Sequence, residues 1–64
     1  MRKEQLHNIT DDTEDLMHEA IAQVQESSFI VAAAGRHDAV VHLNEAHAHL
    51  AKAIAAIQAA NRSL

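Results

Sequence analysis

In the C-terminal half of the chain, Val40, Leu43, His47, Leu50, Ile54, Ile57, Asn61 and Leu64 follow one another at alternating steps of three and four residues. That spacing places all eight on one stripe of an α-helix. Six are aliphatic, and the two exceptions, His47 and Asn61, hold equivalent positions of the seven-residue repeat. Beside the stripe, Ala39, Ala46, Ala53 and Ala60 recur every seven residues and form a second, smooth row. A lone helix of this pattern leaves its whole seam in water, so the pattern predicts a partner helix.

The N-terminal half supplies one. Met17, Ile21, Val24, Ser28 and Val31 form a matching stripe, with Ala20 and Ala34 alongside. Thr10-Asp11-Asp12-Thr13-Glu14 holds two overlapping start signals: Asp11 with Glu14 is a variant of the capping box, and Thr10 is itself a capping residue. The only glycine, Gly35, follows a run of three alanines and reads as the left-handed residue that ends a helix. Asp38 then reads as the N-cap of the next helix. The predicted organisation is a single domain with a flexible extension at 1–9, a helix over 10–34, a turn at 35–37 and a helix over 38–63. Leu6 and Ile9 in the extension are candidates for docking on the helices. A connection this short forces antiparallel neighbours. The fold class is therefore all-α, an antiparallel helical hairpin, with Val31 facing Val40 or Val41, Val24 near His47 and Met17 near Ile54.

Length makes a second chain part of the expectation. Sixty-four residues bury too small a core to be comfortable alone, and without cysteine no disulfide or thiolate-held metal can help. Phe29 is the only ring besides histidine, and alanine buries little area at about 25 cal/mol per Å². A second apolar set remains uncovered by the hairpin: Leu16, Phe29 and Ile30, with Val41, Ala48, Ala51 and Ala55. Exposed apolar area on that scale marks an association surface. The expectation is a homodimer that closes into a four-helix bundle, most simply about a two-fold axis. The interface would use Leu16, Phe29, Ile30, Val41, Ala48 and Ala55, with His47 setting register from the seam. Its imidazole would bond to Gln25, to Ser28 or to Asn61 of another chain.

Charge narrows the partners. Nine acidic residues oppose five basic ones, a net charge of −4, so attraction to phosphate backbones is not expected. No stretch reaches the roughly 18 apolar residues of a membrane span, and Met1-Arg2-Lys3 is followed too closely by acids to start a targeting segment. A cytoplasmic protein is expected.

The six histidines are the compositional oddity. Asp38, His42, Glu45 and His49 share one stripe at steps of four, three and four, a set that can hold a divalent metal ion. The plainer account of the same spacing is helix-stabilising side-chain pairs, and no cofactor is expected. Protonating all six histidines would carry the formal charge from −4 to +2. A charged His47 in the seam would weaken an oligomer towards pH 5.

No nucleophile has a base and an orienting partner, and no glycine-rich loop is available for phosphate, so an enzyme is not expected. The anticipated architecture resembles the Rop family of RNA-binding helical-hairpin dimers, which are about this size. The resemblance implies an RNA-binding dimer as an alternative. It is one of shape alone: helix 1 has no Lys or Arg between Thr10 and Ala34, where that family reads RNA with a basic helix face. In size and shape the chain is also similar to small regulators, secretion-chaperone subunits and inhibitor proteins of bacteria and their viruses. The leading expectation is a non-enzymatic interaction module that self-associates and binds another protein. Metal binding through the His/Glu stripe is the other alternative.

Overall fold

Gly35 turns the chain back on itself. In the computed structural model, which describes residues 2–64, it separates two helices, α1 (Lys3–Ala33) and α2 (His37–Arg62). Its φ of +78° is the left-handed conformation anticipated for it. Two hydrogen bonds close the end of α1, from the Arg36 N–H to the Val31 carbonyl (3.1 Å) and from the Gly35 N–H to the Ala32 carbonyl (3.0 Å). This is the six-to-one, five-to-two pairing of a Schellman motif. The Arg36 carbonyl then accepts from the Ala39 and Val40 N–H groups, so Arg36 is the residue that opens α2. Asp38, expected as the cap, sits instead in the first turn of α2. There its carboxylate still lies at the positive end of the helix dipole.

The helices pack as an antiparallel hairpin measuring 50 × 14 × 12 Å. Three cross-helix pairs fix the register. Gln25 meets His47, Glu14 meets Gln58 and Asp11 meets Asn61. Moving eleven residues back from Gln25 matches eleven forward from His47, and three more on each helix reach the third pair. In that register Val24 lies beside His47 and Met17 level with Ile54, as the two stripes imply.

α1 begins seven residues before Thr10. Residues 3–9, read in the sequence as a flexible extension, are helical. Gln5 supplies the start: its Oε1 accepts from the Arg2 N–H at 3.0 Å, one half of a capping box. The residues that resembled caps are otherwise engaged. The Thr13 hydroxyl donates to the Ile9 carbonyl at 3.0 Å, and Thr10 approaches the His7 carbonyl at 2.9 Å. Threonine hydroxyls that bond back to the preceding turn sit within a helix and leave it uncapped.

The packing is thin. Among the described residues only Ile54, 7% exposed, is buried, while the rest of both stripes is half-buried except Leu64, which is exposed at the chain end. The radius of gyration is 15.0 Å, against roughly 11 Å for a compact chain of this length. No helix among the described residues is long and apolar enough to cross a membrane.

Candidate interaction surfaces

Where the two helix ends meet, the seam becomes polar. Continuing the α1 stripe upstream from Met17 at the same spacing gives Glu14, Thr10 and His7. Asn61 of α2 reaches all of this end. Its Nδ2 donates to Asp11 Oδ1 at 2.9 Å, and its Oδ1 lies 2.6 Å from both the Thr10 hydroxyl and His7 Nδ1. A carboxylate only accepts, so the Asp11 contact fixes which way the amide points, and the His7 contact places that ring's proton on Nδ1. Thr10 has one proton to divide between Asn61 and its own helix carbonyls. Glu14 takes a long bond of 3.5 Å from Gln58 and lies 3.8 Å from His18, one turn along.

His47 sits in the seam, half-buried, and of its expected partners it finds Gln25, with 3.2 Å between Gln25 Nε2 and His47 Nε2. With the amide nitrogen turned to the ring, Gln25 donates and His47 Nε2 accepts. Beside this pair is an open depression of about 390 Å³, lined by Gln25, Ser28, Phe29, Asn44 and His47.

The large apolar side chains anticipated as an association surface are all exposed: Leu16 at 65%, Phe29 at 78%, Ile30 at 63% and Val41 at 56%. Ala48 and Ala55 are exposed as well. They do not form one patch. Phe29 stands one turn from Gln25 and lines the depression with Asn44. Val41 precedes Asn44 by three residues, and Ala48 and Ala55 continue its row, so these residues share the Phe29 flank. Leu16 and Ile30 are fourteen residues apart and therefore lie on one row, about 100° round the helix from Phe29. Ile9, 49% exposed and expected only to dock back on the helices from a flexible extension, belongs instead to that second row. Its seven-residue spacing from Leu16 was the available signal. On α2 the same flank carries Ala39, Ala46 and Ala53, which are half-buried.

The stripe proposed for metal is exposed throughout: Asp38, His42, Glu45 and His49 all face solvent on α2. Among the described residues no three His, Asp or Glu side chains are gathered as a metal site. Sequence spacing had supplied the correct stripe of the helix without the convergence that ligation needs. Comparison of the chain with protein-family models, curated proteins and solved structures gives no match.

Proposed function

We propose that this chain is a self-associating helical interaction module that acts by binding another protein, without catalysis. The observation that carries this reading is the disproportion between core and surface. Among the described residues one is buried, while five large apolar side chains, from Ile9 to Val41, are about half exposed or more. Exposed apolar surface of this extent, here divided between two flanks, is what association covers. The Phe29 flank suits a protein partner. It offers a single aromatic anchor beside a depression lined by amide and imidazole groups, and aromatic residues are enriched at the centre of protein interfaces.

The test separates the two halves of the reading. Native mass spectrometry on the untagged chain is expected to give a two-chain mass. Chemical cross-linking in the source cell is expected to capture a protein whose recovery falls at least tenfold on Phe29→Ala, with the two-chain mass unchanged. Retained capture by Phe29→Ala would remove Phe29 from the partner surface.

A further inference from the structure

We infer that two copies of this chain dock through the flank carrying Ile9, Leu16 and Ile30, with α1 of each lying over α2 of the other about a two-fold axis parallel to the helices. This rests on the self-association proposed above and specifies its geometry.

Charge selects a second copy as the occupant. None of the nine carboxylates lies on this flank. Asp12, Glu19 and Glu26 form a seven-residue row on the outer ridge of α1, and Asp38 and Glu45 do the same on α2. Asp11 and Asp15 belong to the Phe29 flank. A chain of net charge −4 repels its own copy wherever carboxylates meet, and this flank alone avoids that. A basic partner would find its complement on the other side.

Shape agrees with charge. Ile9, Leu16 and Ile30 project as a ridge of period seven. Ala39, Ala46, Ala53 and Ala60 form a smooth row of the same period on the other helix. A ridge on α1 needs a shallow track to lie in, and each copy presents one of each.

Register gives the third argument. An axis parallel to the helices leaves every residue at its own height, so the pairing of levels within the hairpin also holds between copies. Leu16 then stands level with the partner's Ala56, and Ile30 with the partner's His42. The one polar interruption of the ridge, Gln23, stands level with the partner's His49. That is an amide opposite an imidazole, the same pairing that Gln25 and His47 make inside the hairpin.

Area completes the case. The chain exposes 4799 Å². A globular protein of 7.0 kDa exposes roughly 4,000 Å² by the usual scaling. The surplus is close to the roughly 800 Å² that each partner contributes to a standard interface.

The chain lacks cysteine, so introduced thiols report contacts cleanly. Leu16→Cys and Ala56→Cys chains are mixed and bridged with a short bismaleimide, and sedimentation equilibrium is run on the unmodified chain. The expected result is a two-chain mass and a covalent product joining the two different variants. Leu16→Glu, with helicity unchanged by circular dichroism, is expected to raise the dimer dissociation constant about 100-fold or more, because each dimer loses two buried leucines. A two-chain mass without the Leu16–Ala56 product overturns the face and leaves self-association standing. A single-chain mass at every concentration overturns both.

Discussion

Replacing Asn61 by alanine isolates what holds the first turns of α1. Asn61 is the only α2 residue that hydrogen-bonds to His7, Thr10 and Asp11 among the described residues, at 2.6, 2.6 and 2.9 Å. A hydrogen bond of this kind contributes about 0.5–1.5 kcal/mol net. The three are not equal. Asp11 is exposed and re-solvates readily, so its bond belongs at the low end. Thr10 recovers part of its loss by turning its proton to the His7 carbonyl, 2.9 Å away. His7 is half-buried and loses most. The combined cost is about 1–2 kcal/mol.

That cost is expected to be local. Amide hydrogen exchange should show protection of Leu6 to Glu14 falling roughly tenfold, the equivalent of about 1.4 kcal/mol, while Val24 to Val31 and Leu50 to Ile57 are unchanged. Regional opening of this kind is what a helix end tied by side chains undergoes when the tie is cut. Equal loss of protection along both helices would refute the reasoning, since it would make Asn61 a packing residue of the whole seam. Unchanged protection at Leu6 to Glu14 would refute it in the other direction, by showing that this end of α1 is held without Asn61.

Three further outcomes follow from the geometry. Gly35→Ala is expected to cost about 1 kcal/mol in urea denaturation although nothing lies within 4 Å of the added methyl, because the penalty is the positive φ. Gly35→Asn should cost less. His47→Leu is expected to raise the melting temperature, since an aliphatic side chain completes the seam and Gln25 is exposed enough to bond to water; a fall would show that the Gln25 pair outweighs packing. Adding Zn²⁺ in place of chelator is expected to leave the melting temperature unchanged, as the exposed Asp38, His42, Glu45 and His49 are not gathered, whereas a rise would show that the ion can draw them together.

The hairpin was legible because its two stripes and its single glycine are local statements. Three- and four-residue steps specify a helix face wherever they occur, and Gly35 at φ +78° marks the reversal. The start of α1 was illegible for a related reason. An apolar count stops at Met17, because the next three seam positions are Glu14, Thr10 and His7, and these read as a polar cap sequence. What keeps them helical is distant in sequence: Asn61 and Gln58 lie about 50 residues away. The exposed surface was half legible. Which apolar residues the hairpin leaves uncovered could be read from the pattern. Their division between two flanks required the position of each residue round its helix relative to the seam.

The polar residues in the seam have a task that the alanines cannot perform. Ala39, Ala46, Ala53 and Ala60 repeat every seven residues, so sliding α2 by one repeat presents α1 with an almost identical row. Alanine favours close approach and is indifferent to register. His47 and Asn61 are not indifferent. A slip of one repeat takes Asn61 from Asp11 to His18 or Glu4, and takes His47 from Gln25 to Ala32 or His18. Either slip abandons the bonds at both places and leaves half-buried polar groups to be satisfied elsewhere, a cost of about 1–3 kcal/mol for each group left unpaired. The aliphatic middle of the hairpin thus supplies attraction, and the two exceptions to the heptad decide where it acts. The second flank has the same degeneracy, because Ile9, Leu16 and Ile30 share the period of the alanine row they would lie on. There the only residue that breaks the repeat is Gln23, and in the proposed dimer only one register sets it level with the partner's His49.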